Sequence, residues 1–186
     1  MSNKMETAIM MKDREDFFEK CSRFADESLP TNKDEYEKRS QYNIDKIKED
    51  IKNGKLAEFC VYHILSQIKA STDDLPLPDL TIYPASKKSF QPDLVLTRKT
   101  GKIINFHIKT QTIESGNMFG VSWSFQKYDP VVTRPTDSDY FIGTTLDLNN
   151  NICTIKLKRP FDKLKFGPPR KENLTSKTCI YLQDNQ

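Results

Sequence analysis

The chain has 186 residues, 36% of them hydrophobic and 30% charged, and a net charge of only +3. That length suits one domain with a core large enough to need no staples, and the composition lies outside the low-hydrophobicity profile of disordered chains. Four widely spaced cysteines with no CxxC pair, and only two histidines, argue against a structural zinc site, and no apolar run resembles a secretory or membrane-spanning segment.

A cytoplasmic protein with free thiols is therefore expected. In chain order, Phe17, Cys21, Phe24 and Ala25 recur at three- and four-residue spacing and predict a first helix. Residues 28–32, with Pro30 and polar neighbours, predict a break and a cap. Tyr36, Ile44, Ile47 and Ile51 predict a second helix, which Gly54 is expected to interrupt. A third helix over 55–68 directs Val61, Ile64, Leu65 and Ile68 to a core.

After the proline-bearing loop 73–78 the pattern changes to short β-rich runs. Strands are predicted over 80–83, 93–97, 102–109 and 121–126, then over 140–146 and 152–158 around the turn 149–151, with a terminal element over 178–182. The turn 98–101 makes 93–109 a β-hairpin. Helices followed by a mixed sheet predict an α/β sandwich in a single domain over 1–186, with a helical part about 14–69, a sheet core about 80–158 and a basic segment 159–186. Between Lys156 and Lys177 eight basic residues (Lys156, Lys158, Arg159, Lys163, Lys165, Arg170, Lys171, Lys177) face two acids (Asp162, Glu172), which makes this stretch a candidate phosphate-binding surface.

The segment QPDLVLTRKTGKIINFHIKTQ carries the most chemistry. Period-two alternation puts Ile104, Phe106 and Ile108 on one face of its second strand and Asn105, His107 and Lys109 on the other. The hairpin turns Asp93 back toward Lys109, so an acid, an imidazole and an amine are expected together. Phosphodiester hydrolysis uses such groups: carboxylates hold a hard cation that polarises the phosphate, and a lysine orients water and offsets developing charge.

These residues resemble the motif of the PD-(D/E)XK nuclease superfamily, in which Pro-Asp begins one strand, acid-x-Lys follows on the next, and a glutamate sits on a preceding helix. Pro92-Asp93 and Lys109 match, Glu58 matches the helical glutamate, and His107 stands where the second acid belongs. The resemblance spans about 55–158 and implies a restriction-endonuclease-like sandwich, a central mixed β-sheet flanked by helices, with Asp93, Lys109, Glu58 and His107 as catalytic residues. Asp93, Glu58 and His107 would be metal ligands for Mg2+ or Mn2+, imidazole suiting manganese better than magnesium. Three outcomes are open for the substituted acid: Glu58 completes the set, Glu114 supplies the missing carboxylate, or the site is inactive.

Beyond the hairpin, Trp123 and Phe125 are expected in the core, while Gln111, Ser122, Ser124, Gln126 and Lys127, with Lys156, Lys158 and Arg159, are candidates to contact DNA. The reading is a metal-dependent endodeoxyribonuclease, of the kind found in phages and restriction systems, acting through metal-activated water. A nuclease-fold module that only binds nucleic acid, and a small host-interaction protein, are the alternatives. Double-strand cleavage by one small domain implies two active sites, which makes a homodimer a candidate assembly.

Overall fold

The computed structural model describes residues 7–9, 15–37, 41–84, 90–170 and 174–186. After a short strand, β1 (Thr7–Ile9), two long helices carry the N-terminal part: α1 (Glu15–Glu37) and α2 (Ile44–Ile68). Pro30 lies inside α1 and does not end it. The nearby Ser28 carbonyl accepts from Thr31 Oγ1 and Asn32 Nδ2, both at 2.9 Å. The α2 helix is capped by Asn43, whose side chain accepts from the Lys46 N–H at 3.0 Å.

It then passes through Gly54 without interruption, so the three expected helices are two. Glycine costs a helix about 1 kcal/mol, whereas Leu56, Ala57, Val61 and Leu65 are all buried just beyond it. Each buried aliphatic side chain contributes roughly 1.5–3 kcal/mol, which decides the matter. Residues 80–83 are not a strand: Asp79 accepts from the Thr81 N–H and from the Tyr83 hydroxyl, both at 2.8 Å, and this local turn competes with extended pairing.

The hairpin forms as expected from β2 (Leu94–Thr97) and β3 (Ile103–Thr112). Gly101, at φ 81°, supplies the left-handed residue of its turn. Then come α3 (Ile113–Phe119), β4 (Ser122–Gln126), α4 (Pro130–Thr133), β5 (Asp139–Asp147), β6 (Ile152–Pro160), β7 (Phe166–Gly167) and β8 (Lys177–Tyr181). The main sheet has the order β1-β6-β5-β3-β2; β3 and β5 are parallel and the other pairs antiparallel, so the molecule is α/β with a central mixed sheet.

Both faces of that sheet are buried, by different layers. On one side Phe106, Ile108, Ile142, Leu146 and Ile155 pack with Leu56, Phe59 and Val61 of α2. On the other, Phe141 and Leu157 pack with Trp123, Phe125 and Ile180, which belong to a second, three-stranded antiparallel sheet of order β4-β8-β7. The long helices thus cover one face only. A small sheet, built partly from the basic C-terminal segment, covers the other; Lys177 is consequently buried and is no surface cation. Among the described residues no helix is long and apolar enough to cross a membrane.

The two sheets are keyed together at one point. The β5–β6 register shifts between Gly143 and Thr144, and the Trp123 indole N–H donates to the Thr144 carbonyl at 2.9 Å, inside the core. The ring lies so close to Gly143 that a Cβ there would come within 2.7 Å of it. Gly143→Ala is expected to destabilise the fold by about 1–3 kcal/mol through overpacking. Trp123→Phe, which strands a buried carbonyl, is expected to cost a similar ~1–3 kcal/mol. Urea unfolding measures both, and a Gly143→Ala protein as stable as the wild type would show that the indole yields freely.

Candidate catalytic site at the edge of the mixed sheet

Strand β2 pairs with β3 only from Leu94, opposite Phe106, to Thr97, opposite Ile103. Beyond Phe106, β3 continues to Thr112 with β5 on one side and no strand on the other. An exposed row of N–H groups must then find other acceptors. Asp93, the residue just before β2, provides one: its Oδ2 accepts from the Ile108 N–H at 2.6 Å, while its own N–H donates to the Phe106 carbonyl at 2.9 Å. The aspartate is thereby fixed at a notch in the sheet edge.

Helix α2 brings Glu58 to the same notch. Glu58 is buried, and Lys55, one turn earlier, donates to its Oε2 at 2.8 Å and to the Asp79 carbonyl at 2.9 Å. Burial pushes the Glu58 carboxyl up, the negative charge of Asp93 pushes it further, and Lys55 and Lys109 act against both; the balance is a pKa of about 8. Glu58 thus lies in the field of both Asp93 and Lys109. Lys109 is half-buried, with its Nζ 5.2 Å from the centroid of the Phe125 ring.

His107 does not join this group. Its Nε2 lies 3.2 Å from Asp139 Oδ1, and its ring is buried edge-on to Phe161 at a centroid distance of 5.6 Å. Asp139 also accepts from Asn105 Nδ2 at 3.1 Å, from the Thr136 N–H at 2.8 Å and from Thr136 Oγ1 at 2.7 Å. Burial works to raise the Asp139 carboxyl, but the bonds from Thr136, His107 and Asn105 outweigh it and hold its pKa at about 2. An ionised carboxylate only accepts, so His107 donates through Nε2.

The imidazole expected beside Asp93 and Lys109 is instead tied to Asp139 at the start of β5. Glu114 is exposed in the first turn of α3. Among the described residues no three His, Cys, Asp or Glu side chains come together as a metal-holding group. The Glu58–Asp93–His107 ligand set is accordingly not assembled.

The expected DNA-contacting residues divide in a similar way. Gln111, Ser122 and Ser124 do come together around one cleft. Gln126 is buried and Arg159 half-buried. Lys158 lies over the Phe106 ring at 5.9 Å, on the helical side of the sheet and away from Gln111. Lys127 is exposed just beyond the end of β4, Lys156 is half-buried on β6, and Lys171 and Glu172 lie outside the described residues. Among the described residues, Lys158 and the Gln111 cleft thus lie on different sides of the main sheet. Sequence reading missed Lys55, which three-residue helical spacing from Glu58 could have revealed, and Asp139, which it could not.

The Glu58 carboxyl gives a pH test on metal-free protein. Its folded pKa, about 8, exceeds the ordinary 4.5, so its contribution to stability is full below pH 4.5 and is lost as pH rises through 8. Wild type should lose a few degrees of thermal midpoint relative to Glu58→Gln between about pH 5 and about pH 9; parallel curves over that range would contradict the assignment. No protein-family model, curated protein or solved structure matches this chain.

Proposed function

We propose that this protein is a metal-dependent nuclease that hydrolyses DNA phosphodiester bonds at the Glu58–Asp93–Lys109 notch, on the plan of the restriction-endonuclease-like sandwich. One observation carries the reading: two carboxylates from separate elements are held in each other's field, beside an amine, at an open sheet edge. Such a pair is costly without a cation to offset it. Magnesium is commonly bound through one or two carboxylates with waters and substrate phosphate completing its shell, so Glu58 and Asp93 suit it without a third protein ligand. His107, committed to Asp139, gives no reason to prefer manganese.

A divalent cation held by Glu58 and Asp93 would polarise a phosphate and make water a better nucleophile. The chain's own residues account for the rest. Asp93 is oriented by the Ile108 N–H, which occupies one of its oxygens and fixes the carboxylate plane. Glu58, whose pKa is raised to about 8, would give up its proton to hold a cation. Lys109, steadied against the Phe125 ring, offsets negative charge developing on the phosphate. His107 and Asp139 hold β3 against β5 and take no part in proton transfer.

A second reading, a nucleic-acid-binding module without hydrolysis, draws on the finding that among the described residues no third acid or imidazole joins Glu58 and Asp93. Cleavage of plasmid and single-stranded DNA with magnesium, with manganese or with chelator separates the two. The nuclease reading expects metal-dependent cutting, reduced at least ~100-fold by Asp93→Asn or Lys109→Ala. His107→Asn should lower thermal stability while leaving the choice of metal unchanged. DNA binding without cutting under any metal would move the protein to the second reading, and a changed metal preference in His107→Asn would restore histidine as a ligand.

A further inference from the structure

On the outer face of the small sheet, opposite its Trp123–Phe125 side, a cleft of about 130 Å3 is lined by Gln111, Ser115, Ser122, Ser124, Arg170 and Tyr181 among others. Its polar groups are built in. Gln111 accepts from the Ser122 N–H at 3.0 Å and donates to Ser115 Oγ and to the Gly120 carbonyl, both at 3.3 Å. The Arg170 guanidinium stacks on the Tyr181 ring at 4.5 Å and donates once, to the Phe119 carbonyl at 3.0 Å.

That stacking depends on glycine. Gly120 has φ 79°, and a Cβ there would come within 2.7 Å of Arg170 Nη1, so a bare backbone lets the guanidinium lie down into the cleft. Among the described residues no carboxylate pairs with Arg170, no acid lines the cleft, and the Ser124 hydroxyl has no protein partner. A flat cation beside serine hydroxyls, with no acid among the described residues that line the cleft, is a seat for an oxyanion.

Gln111 is two positions beyond Lys109 on the same face of β3, about 7 Å along the strand. A nucleic-acid strand carries one phosphate per about 3.4 Å of rise in a duplex. A strand whose scissile phosphate lies at Lys109 therefore presents another within a few nucleotides of the cleft.

We propose that the Arg170 cleft holds a non-scissile phosphate of the nucleic-acid strand, fixing how the strand lies across the catalytic notch. The proposal rests on the nuclease reading for its orientation, but it is tested without cleavage. Full-length protein is titrated, in chelator and across a range of salt, against a fluorescently labelled duplex and the matching single strand, and by calorimetry against inorganic phosphate. Arg170→Ala should weaken oligonucleotide binding roughly tenfold and reduce the slope of log affinity on log salt by about one. Arg170→Lys should keep the slope and lose part of the affinity, because the charge stays while the planar fork is lost.

Wild-type affinity and slope in Arg170→Ala would overturn the proposal. So would inorganic phosphate binding that depends on Arg170 while oligonucleotide binding does not, since the cleft would then serve a free anion. A wild type that binds no oligonucleotide overturns it as well. Binding that follows the expected pattern in a protein that cuts nothing would sustain the phosphate seat and sink the nuclease reading, so the two failures are separable.

Discussion

Strand β3 has one apolar and one polar face, yet the sheet it belongs to is covered on both sides, so the side chains of its polar face, half-buried apart from the buried His107, pack against protein groups rather than lie open to water. An unpaired buried polar group costs about 1–3 kcal/mol, enough that the partners are decisive for the fold. Asn105 and His107 are satisfied by Asp139, Lys109 rests on the Phe125 ring, and Gln111 is satisfied by the Ser122 and Gly120 backbone. One strand face thus passes from structural bonding at its start, through a charged site at its middle, to a polar cleft near its end.

The catalytic reading depends on where β2 stops. Had β2 paired along all of β3, the Ile108 N–H would have been used by a neighbouring strand, and Asp93 would have had no fixed place at the edge. Because β2 begins only at Leu94, the aspartate takes that N–H and the helix above can bring Glu58 down beside it. The resulting pair is poorly tolerated as two bare charges, and the fold contains it by burying Glu58 under Lys55. A carboxyl kept protonated beside a second carboxylate could take up a cation by giving up its proton, which suits the proposed metal-assisted hydrolase.

Local signals were legible in the sequence and distant ones were not. The hairpin, its Gly101 turn and the alternation along β3 all follow from spacing within short segments, whereas Glu58 entered only through the resemblance to the nuclease motif. Gly54 misled because helix propensity is outweighed by burial of the stripe between α2 and the sheet, and Pro30 because α1, anchored by buried Cys21 and Ala25, runs on through it. His107 read as a candidate ligand because its true partner, Asp139, lies on another strand 32 residues away. The small sheet was hidden for the same reason, since β4 finds its main partner in β8, where Ser122 pairs with Tyr181, and no periodicity announces a pairing over that separation.

The central claim is that Glu58 and Asp93 together form a divalent-cation site. Calorimetric titration of magnesium into the intact protein near pH 7, repeated in buffers of different ionisation enthalpy, tests it most directly. The account predicts one bound ion per chain with release of close to one proton, carried by Glu58, and loss of both signals in a Glu58→Gln, Asp93→Asn protein that remains folded. Binding that survives the double substitution, or no binding at millimolar magnesium, would contradict it.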